Sequence, residues 1–489
     1  MSAAPPAAAP RLLWAPQAWV GGRWLDAVLL RIGDNGHWSE VTSGSSAPPG
    51  ATVLGGPVLP GLVNAHRHAF QRAFAGLAER RSGAVDDFWS WRDRMYGVAL
   101  RITPAQLQAV ATHLYAELLA GGYTQVCEFH YLHHGPDGRP YDDPLAMSRA
   151  LLDAAAATGI GLTLLPVLYE RAGFAQPQLR DDQRRFAANV DDVLALRDGV
   201  RALAARRTGR DGAASVHAPL ISTGVAVHSL RAAAPASIHS LLRLLDGDAG
   251  PVHIHAAEQS AEVDDCLAAT GARPLQWLAR ERLLDARWQI IHATHAMPDE
   301  IDAVAASGAG VVLCPSTEAN LGDGLADLPR WLASGTPLAI GSDSQVGRAW
   351  PEELRWLDYG QRLQLQRRNV AADPALHDGA TAARLFERVL AGGAAAAGFA
   401  CWGLQAGARA DLLVVDRDDA ALCGVPPAHW LDGLVFASPV RPFARVMVGG
   451  QWVLQPSVSP AGPLALPSAA SAAGQAFRLA MRELSPSGR

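Results

Sequence analysis

The stretch Pro60-Gly61-Leu62-Val63-Asn64-Ala65-His66-Arg67-His68-Ala69-Phe70-Gln71-Arg72 grows out of an apolar run, Pro57 to Val63, and carries two histidines two residues apart. A strand turns every second side chain to the same face. His66 and His68 are therefore expected to project together from the end of a buried strand. Two neutral imidazoles aimed at one point suit a zinc-like cation. Taken alone, the pattern equally describes two solvated histidines at a strand end. The remainder of the chain decides between them.

Seven further strand-like runs come after it: Thr124–Phe129, Gly161–Leu168, Gly224–His228, Val252–His255, Gln289–His292, Gly310–Cys314 and Leu338–Gly341. Ala/Leu-rich helical stretches separate them. About eight β segments with helical spacers is the count of a parallel (β/α)8 barrel of the TIM type. An open doubly wound sheet is the alternative, and no GxGxxG fingerprint supports it. Thr103-Pro104 is expected to cap a helix over Ala105 to Ala120, closed by Gly121-Gly122. Asp181 to Arg210 reads as a helical insertion whose charges form a solvated face. Ala469 to Glu483 reads as a final docked helix.

Short alternating apolar segments fill Arg11 to Val53, and similar ones recur at Asp411–Asp416 and Arg445–Val453. The two chain ends are expected to pair into one small β sandwich. The expected organisation is a disordered lead over 1–10, a β-sandwich domain from 11–56 plus 404–460, a catalytic barrel over 57–403, and a C-terminal tail with a helix over 461–489.

Composition narrows the function. The net charge is -5 and the 42 basic residues form no stripe, which argues against nucleic acid. No run of 18 apolar residues suggests a membrane span. Met1 to Pro10 is Ala/Pro-rich and lacks the charged start and apolar core of a secretory signal. Five scattered cysteines, never in CxxC, point to reduced thiols in a cytosol. All the basic residues are arginine; there is no lysine. Schiff-base chemistry is thereby excluded, as is a carboxylated lysine bridging two metals. A metal site here must use histidine and carboxylate.

Polar residues gather where the apolar runs end. The fifth run ends in His253-Ile254-His255-Ala256-Ala257-Glu258, the sixth in Ile291-His292-Ala293-Thr294-His295, the eighth in Gly341-Ser342-Asp343-Ser344. In a barrel those ends share the C-terminal rim. His66, His68, His255 and Asp343 would then converge as a mononuclear site for a divalent cation. Four such residues ending different apolar runs are hard to explain as packing, since each buried without a partner costs about 1–3 kcal/mol. His113, His217, His239 and His377 read as ordinary structural histidines.

The motifs PGLVNAHRHAFQRAFAGLAE, HAAEQ, IIHATH, CPSTEANLGDG and GSDS resemble the amidohydrolase superfamily. Phe129-His130-Tyr131-Leu132-His133-His134 and His228-Ser229-Leu230-Arg231 narrow the likeness to its formimidoylglutamate deiminases, the iminohydrolases of histidine degradation. The resemblance runs from the first β unit to the last. It implies one zinc ion held by His66, His68, His255 and Asp343. It implies proton handling by Glu258 and His292, and substrate contacts from Gln71, Tyr131, His228 and Arg231. It further implies a small acidic substrate and a homodimer. One position departs: members commonly carry His after Gly-Ser-Asp-Ser, where this chain has Gln345. Arg67, between the ligands, is expected to point away from the metal.

Each role has chemical grounds and an alternative. Asp343 can bind the cation and deprotonate a water. Glu258 can protonate a nitrogen, or support His255. His292 can shuttle a proton, or add a further ligand. Arg231 offers a planar fork to a carboxylate, or pairs with a barrel glutamate. Gln71 and Tyr131 can hydrogen-bond a head group, or cap and pack. His130, His133 and His134 read as loop histidines. Ser316–Gly324 reads as a turn-rich loop or a lid. A deaminase of a guanine-like or adenosine-like ring could use the same ligands, and a scaffold barrel could use none.

Overall fold

A computed structural model describes residues 11–81, 86–208, 220–438, 441–455 and 471–485. The lead over 1–10, His217, and the first part of the expected tail lie outside the described residues.

Eight parallel strands succeed one another around a nearly closed barrel in sequence order. They are β1 (Leu62–Arg67), β2 (Tyr123–His130), β3 (Gly161–Leu168), β4 (Val225–Ser229), β5 (Val252–Ala256), β6 (Trp288–His292), β7 (Gly310–Leu313) and β8 (Leu338–Ile340). β1–β3 and β5–β8 are buried along their whole length, and β4 at all but His228. Burial of both faces is why they read as apolar runs and not as alternating ones. Ring closure falls at the rim, just past β8. There Arg67 bridges Asp343 in parallel register, Asp343 N donates to His66 O at 3.0 Å, and His68 N donates to Asp343 O at 3.3 Å. A side chain at Gly341 would place its Cβ 2.7 Å from that of His66. The contact that closes the barrel is thus also the contact that brings the two ends of the His/Asp set together.

Helices pack outside this ring. Helix α1 spans Phe88–Ala99 and α2 spans Pro104–Ala120. Thr103 and Gln106 form a capping box at the start of α2, as Thr103-Pro104 predicts. Gly122, at φ +89°, turns the chain from α2 into β2. A late helix, Ala472–Leu484, docks against α2 with Phe477 stacked on His113 at 3.9 Å between ring centroids.

The chain ends do meet. Strands from residues 12–59 and 412–454 share one hydrogen-bonded sheet in which Val58–Leu59 pairs with both Leu12–Val20 and Leu412–Val415. The run Pro57–Val63 is therefore not one strand. Val58–Leu59 belongs to the small sheet and β1 begins at Leu62, because Pro60-Gly61 interrupts the ladder. Two other expectations change. Ser316–Gly324 is not a loop: Pro315–Leu321 forms a helix, α3, with Pro315 at its first turn and Gly322 ending it at φ +72°. The insertion is a 3-10 turn, Asp181–Phe186, and then a helix, Val190–Thr208. Its charges are not all solvated. Arg185 is fully buried and donates to the carbonyls of Ala99, Ile102 and His134.

Candidate metal centre and active site

Three strand ends supply the centre. His66 comes from the end of β1 and His68 from just past it; His255 comes from β5, and Asp343 lies just beyond β8. His66 Nε2 and His68 Nε2 each lie 3.3 Å from Asp343 Oδ1, and His255 Nε2 lies 3.0 Å from His66 Nε2. All four side chains are buried. His292, ending β6, puts Nε2 3.9 Å from Asp343 Oδ2 and 3.6 Å from Glu258 Oε1.

The far ring nitrogens fix which atoms point inward. His68 Nδ1 donates to Phe129 O and His255 Nδ1 donates to His228 O, both at 2.9 Å. Each ring then presents a bare Nε2 lone pair to the centre. His66 Nδ1 has no partner among the described residues. Burial pushes His66 down to about 3 and His68 to about 4, and drives His255 well below its ordinary range. All three are neutral at pH 7. Burial acts upward on Asp343, but its contacts with the rings of His66, His68 and His292 hold it well below the usual carboxylate range. Three neutral imidazoles and one carboxylate aimed at one point leave their lone pairs mutually repelling. A divalent cation relieves that repulsion, so the donor set fits a metal.

The backbone is strained at the same places. His292 (φ +72°), Ala257 (φ +54°) and Asp343 (φ +47°) are left-handed without being glycine. Such conformations cost about 1–3 kcal/mol each and persist where the surroundings impose them. Here they turn the chain at the ends of β5, β6 and β8.

A cavity opens onto this centre. Its wall includes His68, Gln71, Tyr131, His228, Arg231, His255, Glu258, His292 and Asp343. Every site residue expected from the sequence is therefore in the cavity or, for His66, directly behind it. Gln71 Nε2 donates to Tyr131 Oη at 3.2 Å, leaving Gln71 Oε1 without a partner among the described residues. Burial raises Glu258 to about 7 against the pull of His292. Burial acts downward on His292, but Glu258 and contacts with Cys314 and Glu318 raise it overall. Arg67 points away from the centre, as expected. It is fully buried, and its Nη1 reaches Ser342 O and Gly347 O at 3.3 Å each.

Three residues join the site that the sequence pattern does not single out: Arg92, Trp89 and Glu318. Arg92, on α1, lines the same cavity as Arg231. Both guanidinium groups lie over one ring, that of Trp89, at 4.6 Å and 5.4 Å from its centroid. Glu318, on α3, places Oε1 3.3 Å from His292 Nδ1. The density of aromatics and arginines in Phe88-Trp89-Ser90-Trp91-Arg92 is a signal for the first two; nothing local marks Glu318.

Comparison with known proteins agrees with this geometry. The amidohydrolase family profile matches residues 58–453. The chain is 45% identical over 444 residues to the formimidoylglutamate deiminase of Pseudomonas aeruginosa, covering 91% of this chain and 94% of that one. It is 28% identical to a 5-methylthioadenosine/S-adenosylhomocysteine deaminase of Natronomonas pharaonis, over 81% of each. An amidohydrolase structure from Brucella melitensis superposes with a TM-score of 0.87 at 39% identity, covering 97% of this chain and 99% of that one. A zinc-bound adenosine deaminase structure from Xanthomonas campestris shares the fold at a TM-score of 0.75 and 23% identity, covering 97% and 98%. With its barrel closed at a buried His/Asp cluster and its likeness running nearly end to end, this chain belongs to the amidohydrolase family.

Proposed function

We propose that this chain is a zinc-dependent formimidoylglutamate deiminase, converting N-formimidoyl-L-glutamate and water to N-formyl-L-glutamate and ammonia. One observation favours this over a purine deaminase: two arginines, Arg92 and Arg231, share the Trp89 face in a cavity that ends at the His/Asp cluster. Two cations packed on one ring repel each other, and an acidic substrate end neutralises them. A heterocyclic amine gives them no partner.

His66, His68, His255 and Asp343 would hold the ion. A zinc ion there supplies a water acidic enough to react near pH 7. The remaining steps belong to the side chains. Asp343 and His292 orient that water and take up its proton. Glu258, its carboxyl raised to about 7 by burial, delivers a proton to the imino nitrogen as the C–O bond forms. The C–N bond then breaks, and both protons of the water leave on ammonia. Gln71, Tyr131 and His228 hold one carboxylate of the substrate, and Arg231 with Arg92 holds the other. The five unpaired cysteines fit a reducing cytosol, and a homodimer is the proposed assembly.

Ammonia release decides the matter. The zinc-loaded protein should turn over N-formimidoyl-L-glutamate and leave adenosine and guanine untouched. Arg231→Met should raise KM for the acidic substrate at least tenfold. Brisk turnover of a purine, unaffected by Arg231→Met, would reject the reading.

A further inference from the structure

His292 has two faces. Its Nε2 looks into the site, toward Glu258 and Asp343. Its Nδ1 looks outward to Glu318 Oε1 at 3.3 Å. The same oxygen accepts the backbone N–H of Cys314 at 2.9 Å. Glu318 is only 4% exposed, and its only ion-pair partner within 4 Å among the described residues is His292. A carboxylate this buried, placed by the first turn of α3 against a histidine held at φ +72°, calls for a reason.

We infer that Glu318 is a positioning residue: by accepting the Nδ1 proton of His292 it confines the proton that His292 exchanges to Nε2, on the side of the reacting atoms. A neutral imidazole carries one N–H, and the partner at one nitrogen decides which tautomer forms. A carboxylate behind the ring also stabilises the imidazolium that appears when Nε2 takes up a proton. This is the geometric logic of an Asp–His pair in a hydrolase triad. The proton balance of the proposed reaction is unchanged; only its route through His292 is fixed. Cys314, His292 and Glu318 also each place a ligand atom close enough to the others to hold a cation. The Cys314 N–H and the Nδ1–H already fill the facing side of Oε1, so we assign the trio to hydrogen bonding.

The inference rests on the deiminase reading only where activity is measured. Glu318→Ala removes the acceptor. Glu318→Gln keeps an oxygen for both donors and removes the charge, and it carries the test if the Ala variant fails to fold. Glu318→Ala should lower kcat by roughly ten- to a hundredfold, the range typical of a partner behind an active-site histidine, with KM within about threefold and zinc content unchanged. Glu318→Gln should recover part of the loss. Nitrogen-15 NMR of histidine side chains, with His292→Gln to assign the signals, gives a reading independent of turnover. His292 should keep Nδ1 protonated in the parent protein, whether or not Nε2 also carries a proton, and should lose that preference in Glu318→Ala. If the parent releases no ammonia, the deiminase reading fails and the NMR result still judges Glu318. An unchanged His292 signal, a loss of zinc, or a second zinc equivalent displaced by Glu318→Ala would overturn the inference.

Discussion

Two buried polar knots sit at opposite ends of the barrel strands, and they are built on opposite terms. At the N-terminal end of β2, Arg409 grips Asp411 with two hydrogen bonds, at 2.9 and 2.7 Å. Its remaining donors reach Gln125 Oε1 at 2.8 Å and Thr124 O at 3.1 Å, and Gly449 N donates to Asp411 Oδ1 at 2.8 Å. Both side chains are 3% exposed, and the knot ties the small sheet to the barrel. At the C-terminal end, His66 and His255 set nitrogen against nitrogen at 3.0 Å, His66 Nδ1 and Gln71 Oε1 have no partner among the described residues, and four non-glycine residues, Ala257, His292, Ala293 and Asp343, are left-handed. The first knot is satisfied internally. The second is completed only by something from outside. That contrast separates a structural charge cluster from a chemical one better than burial does, since both are buried.

Substitution should split the two ends. Asp343→Asn removes one ligand and the carboxylate that handles the water proton. It should abolish measurable turnover and empty the zinc site, while the metal-free protein melts within a few degrees of the parent. A retained zinc equivalent with activity above about one per cent would erase the distinction.

At the other knot the expectation reverses. Arg409→Met strands Asp411 as a buried lone charge, costing about 3–5 kcal/mol of stability. The double replacement Arg409→Met with Asp411→Leu should recover most of that loss. Turnover per folded molecule should stay at the parent value throughout. Denaturant melts with parallel assays of the soluble fraction measure both. A kcat that falls with Arg409→Met would show that the satisfied knot reaches the rim after all.

A third histidine tests how far the contrast extends. His253 is two residues before a ligand but faces the helix Thr381–Ala396, its Nε2 donating to Ala396 O at 2.8 Å. Burial lowers it to about 4. The unfolded chain protonates this ring below its ordinary 6.5 while the folded chain does not, so its stabilising contribution is whole above pH 6.5 and is lost as pH falls toward 4. Each such ring steepens the loss by about 1.4 kcal/mol per pH unit. His253→Gln keeps a donor for Ala396 and should flatten the slope of stability against pH between 6.5 and 4 by that amount. An unchanged slope would mean the ring is neutral in both states or charged in both.

The difference between the knots also explains how much of the molecule is legible in its sequence. Barrel strands buried on both faces stand out as apolar runs, and the histidines and aspartate that end them are conspicuous because they interrupt those runs. The break at Pro60-Gly61 is legible as punctuation, yet Pro57–Val63 is apolar on both sides of it and so resembles a single strand. Helix α3 is hidden because Ser316, Thr317, Asn320 and Gly322 suit turns. Its start depends on Pro315 and on the Cys314 N–H meeting Glu318, a tertiary arrangement. Arg92 and Glu318 reach the site from segments whose local pattern says nothing about where they converge. Arg185 resembles any surface charge in the sequence; only the fold closes three backbone carbonyls around it.

Gln345 gives the smallest expected effect, and it tests whether the rim needs every polar group near Asp343. The side chain is 2% exposed, its Nε2 donates to Asn320 Oδ1 at 3.0 Å, and its Oε1 has no partner among the described residues. Asp343 does not depend on it directly. The backbone of Asp343 is held by His66 and His68, and the next residue is held by Thr317 Oγ1, which accepts from Ser344 N at 3.1 Å. Gln345→Ala should therefore cost about 0.5–1.5 kcal/mol, the worth of one hydrogen bond, and change kcat by less than about threefold. A tenfold fall in kcat at unchanged stability would place Gln345 among the residues that aim Asp343, and the unsatisfied end of the barrel would then extend one residue further along the chain.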